Sequence, residues 1–255
     1  MDRESVRISV WRRLREVAVP DSRFHLDFSM YIPDYGGSDR IPETLRTLPF
    51  YAGRGVVFVT PDNNLHALRS TLLRESRPML MTTYGIFRGF LFFPAGCVPE
   101  GSEEYAASLD GAERFGRSYD VEAVRALGPL DFLVTGASAV NRDGIRFGKG
   151  HGYFDLEWAM LRDLGMVDEE TPVVACVHDV QFVDEELPAN PTDTLVDWII
   201  TPTRTMKMLR AQRKPQGIRW EALDPGLLAA IPPLQELQAL HGEHQLGGEG
   251  ADSPS

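Results

Sequence analysis

The sequence predicts an α/β fold, a mostly parallel sheet flanked by helices. Short apolar runs of strand length recur along the chain, each bounded by Pro, Gly or Asp, and stripes of apolar residues at helical spacing lie between them. Strands that alternate with helices run parallel, because each crossover helix returns the chain to the same end of the sheet. At 255 residues, with 43% apolar and 25% charged content, the chain is long enough to bury one sizeable core.

Taken in order, Val6, Val10, Leu14 and Val17 fall on one helical face, giving a first helix that ends near Pro20. Residues 55–59 (GVVFV) form a strand stopped by Pro61 and Asp62. Asn63 or Asn64 can cap the next helix, whose stripe is Leu65, Leu68 and Leu72. Residues 79–82 read as a strand, as do residues 131–135, which are followed by a turn at 141–144 (NRDG). Residues 153–164 are helical, with Gly165 placed to end the helix in a left-handed conformation. Residues 173–177 and 198–201 complete the strands. Residues 1–240 are expected to form one domain, and 241–255 (HGEHQLGGEGADSPS), which lose all apolar periodicity, a disordered tail.

Composition excludes several classes. Acids outnumber bases 37 to 26, for a net charge of −11, which argues against non-specific nucleic-acid binding. Cys97 and Cys176 are too few for a disulfide scaffold, lack metal-site spacing, and read as buried small hydrophobes. The charged N-terminus has no signal-peptide core and no run is long enough to span a bilayer, so a cytoplasmic protein without a membrane partner is expected.

The sharpest local feature is residues 146–155, RFGKGHGYFD. Gly148, Gly150 and Gly152 let the backbone turn tightly and aim successive N–H groups at one point. The helix starting at Tyr153 adds a positive dipole end with free donors. Arg146 and Lys149 add full charges, and together these parts make a cradle for a polyphosphate. The spacing is not that of a Walker A loop, since Asp143 stands at its first glycine and Gly150 at its hydroxyl position; nor is it Gly-x-Gly-x-x-Gly. A flexible loop entering a helix is the plainer alternative. Asp155 either favours the helix dipole or holds a metal beside phosphates. As a loop charge, Arg146 is expected to matter to turnover and little to stability. His178, Asp179, Gln181, Asp193 and Asp197 lie at strand ends, where open α/β sheets bind ligands, though singly each reads as a loop charge or cap. Arg204, Lys207, Arg210, Arg213 and Lys214 read as a solvated helix face.

Residues 146–155, Gln181, the pair Asp193 and Asp197, and Thr201 together resemble the 5-formyltetrahydrofolate cyclo-ligase (methenyltetrahydrofolate synthetase) family. The stretches GKGHGYFDLEWAM, ETPVVACVHDVQ and TPTR are similar to its methenyltetrahydrofolate synthase domain-containing branch; IPDYGGSD, VTPDNN and the Arg3, Arg7, Trp11 helix agree more loosely. The resemblance spans about residues 3–205 and implies that family's fold, which is NagB/RpiA/CoA transferase-like. It also implies an ATP- and Mg²⁺-dependent ring closure on a small N-formyl substrate. The formyl oxygen attacks the γ-phosphate, an internal nucleophile closes the ring, and phosphate leaves. By this resemblance Arg3, Arg7, Arg146, Gly148, Lys149, Gly150, His151, Gly152 and Tyr153 hold ATP, and Asp155 and Asp193 hold Mg²⁺. Asp62, Phe154 and Gln181 contact substrate, with Arg146, Tyr153 and Asp62 acting in catalysis.

Four positions depart from the family pattern: Arg3 for Lys, Asp62 for Glu, Phe154 for Tyr, and Asn141 for Asp. The nucleotide half is thus kept better than the substrate half. That favours, first, oxazole formation on an N-formylglycyl group presented by an acyl carrier protein in natural-product biosynthesis, docked on the basic 204–214 face. The folate reaction giving 5,10-methenyltetrahydrofolate is the alternative. A non-catalytic nucleotide-binding protein is a third, opposed by the intact Arg146, Lys149, Gly150 and Asp155.

Overall fold

A computed structural model describes residues 2–210 and 212–248. Eleven strands occur among these residues. They are β1 (Val57–Val59), β2 (Met79–Thr82), β3 (Phe90–Phe93), β4 (Arg117–Tyr119), β5 (Phe132–Thr135) and β6 (Ala139–Asn141). They continue with β7 (Arg146–Phe147), β8 (Val173–Cys176), β9 (Phe182–Val183), β10 (Trp198–Ile200) and β11 (Thr205–Lys207). Eight of them form one sheet in the order β11-β10-β8-β5-β1-β2-β3-β4. The five from β10 to β2 are parallel, and β11, β3 and β4 add antiparallel edges. A small second sheet, β7-β6-β9, pairs the β6–β7 hairpin with β9.

The central strands are apolar on both faces because helices cover both. Phe58, Leu80, Leu133, Ala175 and Ile199 face a core shared with α7 (Tyr153–Asp163), α6 (Val121–Arg125) and α9 (Pro232–Gly248). Their strand neighbours Val57, Val59, Met81, Val134 and Cys176 face the opposite core, closed by α2 (Ile41–Arg46), α3 (His66–Arg74), α4 (Glu103–Ala106) and α5 (Leu109–Phe115). The period of two along each strand thus sorts side chains between two cores. The remaining helices are α1 (Arg3–Leu14) and α8 (Pro225–Ala230). No described helix is long and apolar enough to cross a membrane.

The expected α/β class and its five parallel strands are present; several local expectations are not. α1 stops at Leu14, and Val17 packs beyond it in a turn. Neither Asn63 nor Asn64 caps α3: Asn63 bonds the Asp21 carboxylate and Asn64 the Cys176 carbonyl. Residues 204–210 and 212–214 are a strand and loop instead of a solvated helix. Lys214 is buried with its ammonium 2.7 Å from Asp197, Arg210 pairs with Glu169 and Asp197, and Arg204 pairs with Asp179. Three of the five charges assigned to docking an acidic carrier are therefore matched within the chain. α9 continues to Gly248, past the expected domain end at 240, while residues 249–255 of the expected tail lie outside the described residues. Strands β3 and β4 were not legible as such, since FLFF has no alternation and Arg117–Tyr119 is polar.

Candidate active site

The hairpin delivers the glycine-rich loop. At its turn the Asn141 side-chain oxygen accepts from the amides of Asp143 and Ile145, both at 3.1 Å. Gly144 has φ +75°, and a β-carbon there would lie 2.5 Å from the Val196 carbonyl oxygen, so only glycine fits. Asn141 is thus a turn former, and its departure from the family pattern says nothing about a substrate pocket. β7 then presents Arg146, and the loop runs into α7 through Gly150 and Gly152, both left-handed.

Two clefts lie on either side of this loop. The first, of about 720 Å³ including its open mouth, is bordered by Asp62, Arg146, Lys149, Tyr153, Phe154 and Glu157, among others. The second, of about 1000 Å³, is bordered by Arg3, Arg7, Gly150, Asp155, Leu156, Ala159 and Asp193. The helical period explains the partition: Tyr153 and Glu157 are one turn apart on one face of α7, Asp155 and Ala159 on another. Gly148, His151 and Gly152 border both clefts.

Aromatic rings wall the first cleft. Phe24 stacks on Tyr31 and Tyr84, with centroids 5.8 and 5.6 Å apart, and the Lys149 ammonium sits 5.3 Å from the Tyr84 ring. His151 stacks on Tyr153 at 5.2 Å. Burial, with Lys149 and Arg7 nearby, lowers the His151 pKa and keeps the ring neutral at neutral pH. Burial raises the pKa of the Tyr153 hydroxyl. One oxygen of Asp62 accepts from the Thr60 hydroxyl at 2.6 Å and the Gly136 amide at 2.9 Å, which fixes the carboxylate at the cleft wall. Phe154 is buried under the Arg146 guanidinium, 4.5 Å from the ring centroid.

Glu157 is the cleft residue that sequence reasoning missed. It is 2% exposed, shares a short hydrogen bond with the Thr82 hydroxyl, and is pushed by burial up to about 8 against the opposing pull of that hydrogen bond. The nearby Asp62 charge raises it further, while Arg146 and Lys149 oppose. Its position four residues after Tyr153 was the available signal. The loop beside it is strained: buried Ile86 has φ +62°, between Gly85 and Gly89 at +64° and +74°.

Arg146, from the wall of the first cleft, pairs with Asp155 of the second, whose Oδ1 also accepts from the Thr194 amide at 2.8 Å. Burial raises the Asp155 pKa and the Arg146 charge opposes it. Asp155 Oδ2 has no hydrogen-bond partner among the described residues, and Arg146 Nε and Thr194 Oγ1 are buried without one. Arg3 grips Asp193 with two nitrogens and the Pro188 carbonyl with two more contacts, at 2.9 and 2.7 Å. Arg7 donates to the Gly148 carbonyl at 2.9 Å, and both Arg3 and Arg7 lie over the Phe147 ring. α1 therefore holds two cations against the loop.

Gln181 is not brought to either cleft. Its amide nitrogen is spent on the Ala137 carbonyl at 2.5 Å and its oxygen on the His178 amide at 2.7 Å, where it closes a capping box. No three His, Cys, Asp or Glu side chains converge as a metal site among the described residues. The free oxygen of Asp155 suits a hard cation that takes its remaining ligands from phosphate and water. Asp193 is less open, since Arg3 and the Asn190 amide already occupy its oxygens.

A glycine-rich loop at a helix N-terminus, flanked by Arg3, Arg7, Arg146 and Lys149 and open to two clefts, is the layout of an anion-handling α/β protein. The chain belongs to the 5-formyltetrahydrofolate cyclo-ligase family, a family of ATP-dependent ligases, whose model matches residues 36–202. It is 32% identical to the human methenyltetrahydrofolate synthase domain-containing protein over 260 residues, 96% of this chain and 66% of that protein. It is 34% identical to a Mycolicibacterium smegmatis 5-formyltetrahydrofolate cyclo-ligase over 84 residues, covering 33% of this chain and 40% of that one. A solved 5,10-methenyltetrahydrofolate synthetase from Mycoplasma pneumoniae aligns at 14% identity and a TM-score of 0.46, over 78% of this chain and 98% of that chain.

Proposed function

We propose that the protein converts 5-formyltetrahydrofolate and ATP to 5,10-methenyltetrahydrofolate, ADP and phosphate. The observation that carries this reading is the shared wall: one glycine-rich loop and one helix border both clefts. ATP in the second cleft extends its phosphates along the loop amides, with Arg3, Arg7 and Arg146 opposing their charge. The flat aromatic ring system of the folate enters the first cleft between Tyr84 and Tyr153, and its formyl oxygen meets the γ-phosphate at Gly148 to Gly152.

Phosphorylation turns the formyl oxygen from a very poor leaving group into a good one. The neighbouring amine then attacks the formyl carbon, and phosphate departs as the ring closes. The protein need only position the partners and neutralise charge, which is what fixed amides and guanidinium groups do. Tyr153 orients the formyl group, and Asp62, held by Thr60 and Gly136, faces the reacting amine. Mg²⁺ held by Asp155, with Asp193 beside it, would neutralise developing phosphate charge. The family match and the named relatives favour this reading over oxazole formation on a carrier. The departure at Asn141 and most of the basic docking face, which favoured the carrier, have structural roles instead.

The test is ADP release by the purified chain with Mg-ATP, comparing 5-formyltetrahydrofolate with an N-formylglycyl carrier thioester. Release with the folate, accompanied by the methenyl product, is expected. Turnover of the carrier substrate alone would replace the reading, and binding of ATP without turnover of either would point to the non-catalytic alternative.

A further inference from the structure

Residues 215–227 form a strap across the second cleft, and they lie beyond residues 36–202, where the family model matches. The strap is pinned to α7. The Trp158 indole donates to the Pro215 carbonyl at 2.9 Å, Arg162 donates to the Gln216 side chain at 3.1 Å, and Gly217 packs so closely that a β-carbon would lie 2.0 Å from Asp163 Oδ1. Beyond Gly217, which has φ +145°, the strap turns back over the cleft and Asp224 caps α8 through the amides of Gly226 and Leu227. Half-buried Ile218, Leu223 and Leu227 thereby line the cleft wall that Leu156 and Ala159 complete from α7.

The cleft is thus divided by chemistry. Its loop end carries arginines, glycine amides and Asp155; its strap end is mostly aliphatic, with Arg219 and Asp224 beside Ile218, Leu223 and Leu227. A free polyphosphate would use chiefly the first part, whereas a nucleoside triphosphate carries a flat, weakly solvated base one ribose away from its phosphates. Resting on the ATP-dependent reading above, we infer that the strap is a base-binding subsite, in which Ile218 and Leu223 pack on the adenine of ATP. The nucleotide's selectivity over simple polyphosphates then resides in a segment outside the family-matched residues.

The test measures binding of Mg-ATP and Mg-tripolyphosphate to the full chain by calorimetry. The wild-type chain should bind Mg-ATP at least about tenfold more tightly than Mg-tripolyphosphate. In Ile218→Ser/Leu223→Ser, ATP should weaken by about tenfold to a hundredfold, while tripolyphosphate binding, which also reports an intact loop, stays unchanged. Leu223→Met should retain ATP affinity, because it keeps the apolar face. Unchanged ATP affinity in the double variant would overturn the subsite. A parallel loss of both ligands would also overturn it, since the strap would then merely brace the loop. Binding of neither ligand by the wild-type chain would instead overturn the ATP-dependent reading itself.

Discussion

Removing the Arg146 guanidinium strands the Asp155 carboxylate. The Arg146 side chain is 2% exposed and that of Asp155 17%. Breaking a buried ion pair from one side costs about 3–5 kcal/mol, because the remaining charge keeps its desolvation penalty. Partial exposure of Asp155, and the Thr194 amide that still serves it, reduce this to about 2–4 kcal/mol. In a chain of this size each kcal/mol shifts Tm by about 2–4 °C, so a loss near 3 kcal/mol lowers Tm by about 6–12 °C. Arg146→Met is therefore expected to unfold about 6–12 °C below the parent in calorimetry without nucleotide near neutral pH. Arg146→Met/Asp155→Leu, which removes both charges, should recover most of that loss. Unfolding of the single variant within about 2 °C of the parent, or no recovery in the double variant, would refute the reasoning. Reading Arg146 as a loop charge of little consequence for stability fails on its burial.

Glu157 is neutral where it is buried, so stability is fully present below its unfolded pKa and is lost as pH rises from about 4.5 to about 8, where the unfolded chain releases a proton that the folded one keeps. Urea unfolding of Glu157→Gln should lack this decline; an identical pH slope in parent and variant would count against it. Gly111→Ala should lose about 3 kcal/mol, since its β-carbon would sit 1.7 Å from the Tyr105 carbonyl oxygen at the α4–α5 junction, and a near-native Tm would contradict this. Steady-state kinetics should split the clefts: Arg7→Ala raises the KM for ATP about tenfold with the folate KM unchanged, and Asp62→Asn does the reverse. A common effect of both substitutions on both substrates would deny the partition.

The parallel strands were legible because GVVFV, MLMT, DFLVT and PVVACV are short apolar runs between clear breakers. The glycine-rich loop was legible because its donors and charges are contiguous. What lay outside the reach of sequence is geometry made by distant segments. Arg3 and Asp193 read as a phosphate ligand and a metal ligand, and nothing local says that they grip one another. Glu157 resembled any charged residue in a helix until the cores on both sides of the sheet fixed which face of α7 is solvent-free. The strap was invisible because residues 215–227 follow no period; Pro215, Gly217 and half-buried aliphatics gain meaning only from Trp158 and Asp163. Gln181 is the opposite case: its position matches a family pattern, and both ends of its amide are bound to backbone.

Arg3 reaches Pro188 and Asp193, 185 and 190 residues further along the chain. A growing polypeptide therefore finishes its first helix long before the partner of that helix leaves the ribosome. Until then Arg3 and Arg7 have no Asp193 and no loop carbonyl to hold them, and Val6 and Val10 wait for the apolar residues of the hairpin and for Val183, Leu187 and Leu195. The ligand-competent pocket is thus assembled only after residue 193 has been made, and ligand capture by nascent chains should begin no earlier than the emergence of that region.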